Sequence, residues 1–264
     1  MTEHRARKRF GQNFLHDARV VQRIVSAIRP RPDDVLLEIG PGQGALTGDL
    51  LDCGCDLHAV ELDRDLFAML QQRFGANPRF KLQQGDALDL DLHSISDRRL
   101  RVVGNLPYNI STPLIFHLLK QSDAIVDMHF MLQKEVVERL AAAPNNRDYG
   151  RLSIMTQYFC RIEHLLDVPP SAFSPQPKVQ SAVVRLTPHA VLPHPVRSIT
   201  ALQNVVRTAF NQRRKTLRNA LQTMLTAEQM LALDIDPTAR PETLPLAAYA
   251  ALADCVHDQE ICNG

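Results

Sequence analysis

The sequence lacks an apolar run approaching the ~18–20 residues that a membrane-spanning helix needs. Its basic start, MTEHRARKRF, leads into GQNFLHD rather than into the apolar core of a secretory signal. Neither a membrane protein nor an exported one is expected; the reading is an intracellular, cytoplasmic chain. Paired cysteines are missing too. The five present, Cys53, Cys55, Cys160, Cys255 and Cys262, are odd in number, scattered, and without the histidine spacing of a zinc site. Reduced structural thiols, no metal and a cytosolic setting follow. No internal repeat or low-complexity tract breaks the chain. A dominant charge is also absent: 30 Lys and Arg against 29 Asp and Glu leave a net charge of +1, which says little about partners.

The charge that cancels over the whole is unevenly placed. Arg5, Arg7, Lys8 and Arg9 crowd the amino end and Arg207, Arg213, Arg214, Lys215 and Arg218 a later stretch, while Glu61, Asp63, Asp65, Asp86, Asp89 and Asp91 populate the middle. Local fields of that kind suit a polyanion.

With 264 residues and 45% hydrophobic content, the chain can bury a large core with a smaller appendage. Short apolar runs at 34–40, 56–62, 79–86, 101–106, 127–133 and 163–169 read as strands, and amphipathic stretches near 18–29, 44–53, 63–74, 112–121 and 133–142 as helices. The alternation implies βαβ units in a mostly parallel, doubly wound α/β sheet. A last strand, 181–187, follows 163–169 after a proline-rich loop too short for a crossover helix, so those two strands should pair antiparallel. PHAVLPHP then interrupts the pattern, and helices are expected at 197–211, 213–224, 226–233 and 245–257. The expected domains are 1–190 and a small all-α unit, 191–264.

In LLEIGPGQGALT (36–47) a strand runs into Gly40, Gly42 and Gly44 and then into a helix. Glycine permits positive φ and close approach of a ligand to the backbone. The string also fits G-x-G-x-x-A, so a nicotinamide dehydrogenase and a plain tight turn both remain open. Glu61 lies near the ~20-residue offset at which an acid accepts hydrogen bonds from ribose hydroxyls. Asp63 and Asp65 suit the cap and first turn of the next helix. Asp86 is either another cap or a ligand contact. Gly40, Glu61, Asp86 and Asn105 all fall at carboxyl ends of successive strands, the edge that lines the ligand crevice of an open parallel sheet.

GNLPYNIST (104–112) places an amide, a proline and an aromatic ring at the end of a strand. The Asn105 side-chain oxygen and the Leu106 carbonyl can each accept from an exocyclic amine, since Pro107 offers no N–H and keeps Leu106 extended. Tyr108 offers a flat face to a base, a contact worth ~1–3 kcal/mol. The alternative is an Asn-Pro turn with Tyr108 packed in the core.

GQNFL (11–15), EIGPGQGALT (38–47), VELD (60–63), GDAL (85–88), GNLPYNIS (104–111), FSPQPKVQSAVV (173–184) and AFNQRRKTLRNAL (209–221) together resemble the ribosomal RNA adenine dimethyltransferase family, in particular its bacterial small-subunit branch. The likeness covers nearly the whole chain, with the motifs in order. It implies a Rossmann-like class I methyltransferase sheet and S-adenosyl-L-methionine as cofactor. The implied reaction is N6,N6-dimethylation of two adjacent adenines near the 3′ end of 16S rRNA. By the resemblance, Asn13, Leu15, Gly40, Glu61, Asp86 and Asn105 contact the cofactor, Glu61 at the ribose and Asp86 at the adenine amine. Asn105, Leu106 and Tyr108 hold the target adenine. Phe173 is the family's second aromatic over the extruded base, with a core position as its alternative. Lys178 contacts phosphate or is solvated. Arg213, Arg214, Lys215 and Arg218 read as basic positions on a helix carrying Leu217 and Leu221, either a solvated face or an RNA contact; Arg7, Lys8 and Arg9 read as a second RNA contact. The implied partner is 16S rRNA in the 30S subunit or its precursor, met by a monomer with no membrane association.

Overall fold

The computed structural model describes residues 13–107 and 110–263. In chain order the elements are β1 (Phe14–Leu15), α1 (Ala18–Ile28), β2 (Val35–Ile39), α2 (Thr47–Asp52), β3 (Asp56–Glu61), α3 (Arg64–Phe74), β4 (Phe80–Gln84), β5 (Leu100–Asn105), α4 (Ser111–Leu119) and β6 (Ile125–Gln133). They are followed by α5 (Lys134–Ala141), α6 (Arg151–Phe159), β7 (Cys160–Val168), β8 (Phe173–Ser174), β9 (Ser181–Pro188), α7 (Ile199–Asn211), α8 (Leu217–Ala220), α9 (Ala227–Ala232) and α10 (Leu246–Asn263).

Seven strands form one sheet in the order β4-β3-β2-β5-β6-β9-β7. The run from β4 to β6 is parallel, and β9 is antiparallel to β6. The expected final strand thus takes its place between β6 and β7. A parallel strand covered on both faces must be apolar throughout, and β2 (VLLEI) is buried at all five positions. Its single acid, Glu38, is accordingly conspicuous. A separate two-stranded sheet joins β1 to β8 antiparallel, with Phe14 opposite Ser174 and Leu15 opposite Phe173.

The helix entering the sheet is fixed at both ends. Asp17 caps α1 by accepting from the backbone N–H groups of Arg19 and Val20. At the other end Arg101 donates to the carbonyls of Ile28 (2.7 Å) and Arg29 (3.1 Å) while pairing with Asp34 and Asp127. Val20, Val21, Ile24 and Ile28 face the core beside Leu36, Leu57 and Val103.

The chain divides into two compact units: residues up to Val137 with Arg161–Pro188, and Glu138–Cys160 with residues from His189 onward. One boundary near 190 was expected; the chain crosses three times, because 138–160 joins the later segment. Helix α6, within that excursion, was not anticipated. In the second unit α7 packs on α6 and α10. Phe210 lies 6.3 Å from the Tyr149 ring and 6.0 Å from that of Tyr249. Both phenols are buried and donate to the backbone, Tyr149 to Leu244 (3.0 Å) and Tyr249 to Pro241 (2.7 Å).

The helix expected over 213–224 is corrected to the single turn α8. Helix α7 ends at Asn211, Gln212 leaves helical geometry, and Thr216 is extended. The N–H groups of Leu217 and Arg218 donate to Ala239 (2.9 Å) and Pro237 (3.0 Å), so 212–216 is a turn.

Candidate active site

The parallel register brings the carboxyl ends of four strands level. Ile39 is opposite both Val60 and Gly104, and Glu61 is opposite Gln84. The residues that end or follow these strands, Gly40, Glu61, Asp86 and Asn105, therefore line one cavity of about 220 Å³. Asn13, Phe14 and Leu15 close it from the β1 side. All of this lies in the first unit.

The turn after β2 needs glycine for two separate reasons. Gly40 (φ +64°) has nothing within 4 Å of where a Cβ would stand, so a ligand can come up to its backbone. Gly44 (φ +77°) is a packing position: a Cβ there would meet Phe74 at 2.7 Å.

Glu61 is buried and organises the loops around it. Its Oε2 accepts from the Gly42 N–H at 3.1 Å and its Oε1 from the Asp63 N–H at 2.9 Å. Burial raises its pKa, and those two backbone donors act against the rise. Asp63 accepts from the Asp65 N–H and caps α3. Asp86 is a cap, its Oδ1 accepting from the Leu88 N–H of the short turn Ala87–Asp89, and it also lines the cavity.

A fourth acid in the cavity lining was missed. Glu38 is buried, accepts from the Thr47 hydroxyl at 2.7 Å, and is pushed up to about 7, first by burial and further by the charge of Glu61. The signal in the sequence is an acid inside the otherwise apolar strand VLLEI.

Glu38, Glu61, Asp63 and Asp86 line the cavity, and among the described residues that line it there is no Lys, Arg or His. Such a field favours a cation and opposes a dinucleotide pyrophosphate. S-Adenosylmethionine, which carries a sulfonium and an ammonium charge, would fit a lining of four acids with an uncrowded backbone at Gly40.

Asn105 ends β5, and its Nδ2 donates to the main-chain carbonyl of Asn13 at 3.2 Å. Leu106 is buried, and its N–H is spent on Met131 (3.2 Å). The Pro107 carbonyl accepts from Ile110 and Ser111. Among the described residues no donor reaches the Leu106 carbonyl. Tyr108 lies outside the described residues, as do Arg7, Lys8 and Arg9.

Phe173, at 2% exposure, belongs to the core cluster with Leu15, Leu166 and Val168 and is absent from the cavity lining, which matches its alternative core reading. Lys178 is exposed in the loop between β8 and β9. In the second unit Arg213 sits 3.8 Å from Glu242 and donates to Asn146, whereas Arg214, Lys215 and Arg218 are exposed and unpaired among the described residues.

A family model described as ribosomal RNA adenine dimethylase matches residues 3–258. Ribosomal RNA small subunit methyltransferase A of Pseudomonas aeruginosa is 63% identical over 254 residues, 96% of this chain and 95% of its own length. The protein of the same name from Pseudomonas syringae pv. syringae is 60% identical over 261 residues, 98% and 97% of the two chains. Among solved structures, a dimethyladenosine transferase from Plasmodium falciparum shares the fold with a TM-score of 0.79 at 24% identity, covering 90% of this chain and 95% of its own. The 23S rRNA methyltransferase ErmE aligns with a TM-score of 0.72 at 25% identity, covering 93% and 100%.

Proposed function

The chain belongs to the ribosomal RNA adenine dimethylase family, and on that premise we propose how its own residues carry out the reaction. The protein is an S-adenosylmethionine-dependent methyltransferase that dimethylates adenine N6 amines in 16S rRNA. In our reading Glu61 accepts from the ribose hydroxyls of the cofactor, Asp86 from its adenine amine, and Gly40 gives it access to the backbone, with Asn13 and Leu15 closing the far side. Bound there, the cofactor supplies an electrophilic methyl group.

The adenine N6 is a poor nucleophile because its lone pair is delocalised into the ring. Asn105 Oδ1 and the Leu106 carbonyl accept its two hydrogens, which favours a more tetrahedral nitrogen with its lone pair directed outward. Catalysis is then mainly positioning and electrostatics, with no covalent enzyme intermediate. On taking the methyl, N6 sheds one proton to solvent and keeps one N–H, so the pocket admits a rotated monomethylamine for the second transfer. Tyr108 stacks on the base. The observation that carries the assignment is the acid-lined cavity at the strand edge, with Asn105 and Leu106 at one end.

The substrate is taken to be the 30S subunit or its precursor, modified at two adjacent adenines near the 3′ end of the rRNA, with a part in subunit maturation. Arg214, Lys215, Arg218 and Lys178 dock on phosphate, and Arg7, Lys8 and Arg9 do so from the amino terminus. The enzyme acts as a cytoplasmic monomer; no helix of the described residues is long and apolar enough to cross a membrane. The likeness to ErmE makes the large subunit the natural control. Labelled S-adenosylmethionine incubated with undermethylated 30S and with 50S particles, followed by mapping of modified nucleosides, tests the assignment: label in dimethyladenine of 16S rRNA is expected, and label confined to 23S rRNA would overturn it.

A further inference from the structure

A side-chain amide has an accepting end and a donating end of nearly the same shape, and rotation about its last torsion exchanges them at little steric cost. Which end of Asn105 faces the substrate therefore has to be decided by something else. The Asn105 amide contacts the main-chain carbonyl of Asn13, at 3.2 Å. A carbonyl can only accept, so the NH2 end must face it and Oδ1 must point away. We propose that the Asn13 carbonyl is a positioning group that locks the hydrogen-bond polarity of Asn105, so that the pocket accepts an exocyclic amine and rejects an exocyclic oxygen. The inference rests on the reading of Asn105 as an amine acceptor and adds what makes it one.

The carbonyl is itself held in place. Asn13 leads directly into β1, which pairs with β8 through Phe14–Ser174 and Leu15–Phe173. The His16 N–H donates to Ala172 at 3.0 Å just beyond, and Leu15 and Phe173 are both buried. On the other side, the Leu106 N–H bond to Met131 fixes the backbone that carries Asn105. The buried Phe173 thus serves the site at one remove, as part of the sheet that anchors the orienting strand. An NH2 group turned toward the substrate would oppose an amine donor to donor, and would instead welcome the carbonyl oxygen of guanine. Preference for an amino base over an oxo base such as guanine follows from the fixed polarity.

Asn105→Asp separates this idea from a simple need for an acceptor. A carboxylate is the stronger acceptor, but it has no donor for the Asn13 carbonyl. It would share a cavity with Glu38, Glu61, Asp63 and Asp86 and, among the described lining residues, no basic group. Protonation restores one donor and one acceptor in the original arrangement. Single-turnover methylation of undermethylated 30S particles at saturating S-adenosylmethionine is to be measured for wild type, N105D and N105A between pH 6 and pH 8. The protonated fraction of a carboxyl rises as much as tenfold for each unit that the pH is lowered toward its pKa. The ratio of N105D to wild-type rate is therefore expected to rise at least about tenfold from pH 8 to pH 6, with N105A low and flat. An N105D enzyme as fast as wild type at pH 8, beside an inactive N105A, would overturn the orientation and leave the amine-acceptor reading standing. An active N105A would overturn that reading itself. A second measurement needs no variant: in labelled wild-type protein, a scalar coupling between Asn105 Nδ2 and the Asn13 carbonyl carbon is expected, and its absence would overturn the lock.

Discussion

The Gly42 N–H donates to the Glu61 carboxylate at 3.1 Å, so the acid that ends β3 also holds the glycine turn that follows β2. Two loops from adjacent strands share one anchor. An acid placed there for a ligand is therefore also a structural hub, and its loss has to be read on both levels.

Glu61→Ala removes the acceptor for two backbone donors and, in the proposed binding mode, for the ribose hydroxyls. Each lost charge-assisted hydrogen bond costs ~1.5–3 kcal/mol, so affinity for S-adenosylmethionine should fall at least tenfold, with a smaller loss for Glu61→Gln, which keeps one acceptor. Calorimetry checks it. The same titration with NADH should give no binding heat.

Glu38 predicts a pH dependence. Its folded pKa is raised from 4.5 to about 7, above the unfolded value, so the stability it lends is complete below about pH 4.5 and is lost as the pH rises through about 7. At 1.36 kcal/mol per unit the swing is about 3 kcal/mol for the ligand-free protein. The difference in melting temperature between wild type and Glu38→Gln should change steadily over that window. A cationic ligand favours the ionised form, so S-adenosylmethionine should bind wild type more tightly at pH 7.5 than at pH 5.5 and release protons, seen as a buffer-dependent heat. Glu38→Gln should show neither.

The two glycines should fail differently. Gly44→Ala places a Cβ 2.7 Å from Phe74 in a left-handed turn and should lower stability by more than the ~1–2 kcal/mol of backbone strain alone. Gly40→Ala meets no protein atom and should cost about that strain, but it narrows the cavity. Thermal melts should rank Gly44→Ala below Gly40→Ala, and cofactor titration of the folded proteins should show Gly40→Ala as the weaker binder.

Asn105→Ala should lose most methylation while still binding 30S particles, because the basic residues lie elsewhere in the chain. Binding and activity falling together, measured at saturating cofactor, would contradict that division.

The parts that could be read from the sequence are those with a short-range signature. Apolar period and turn chemistry put strand ends at 40, 62, 86 and 106, within two residues of the observed ends at Ile39, Glu61, Gln84 and Asn105, and with them came the cavity edge. Glu38 was hidden because its strand reads as wholly buried, and only the Thr47 contact reveals a satisfied acid in the floor. Phe173 and α8 depend on distant pairings, with Leu15 in one case and with Pro237 and Ala239 in the other, which no local pattern encodes.

The basic turn gives the last prediction. Arg213 already has Glu242 and Asn146 near it, whereas Arg214, Lys215 and Arg218 are exposed with no ion pair among the described residues. Their positive charge is available for phosphate: Arg214 and Lys215 lie in the turn between α7 and α8, and Arg218 follows in α8. Each phosphate contact contributes about 0.9 to the logarithmic salt slope for duplex nucleic acid and about 0.7 for single strands. Replacing Arg214 and Arg218 by Gln should therefore weaken binding to 30S particles and flatten the salt dependence by roughly one to two units. Affinity for S-adenosylmethionine should not change, since neither residue lines the cavity. A merely solvated turn predicts parallel salt plots of equal height for wild type and the double variant, and that result would remove the turn from the RNA-docking surface.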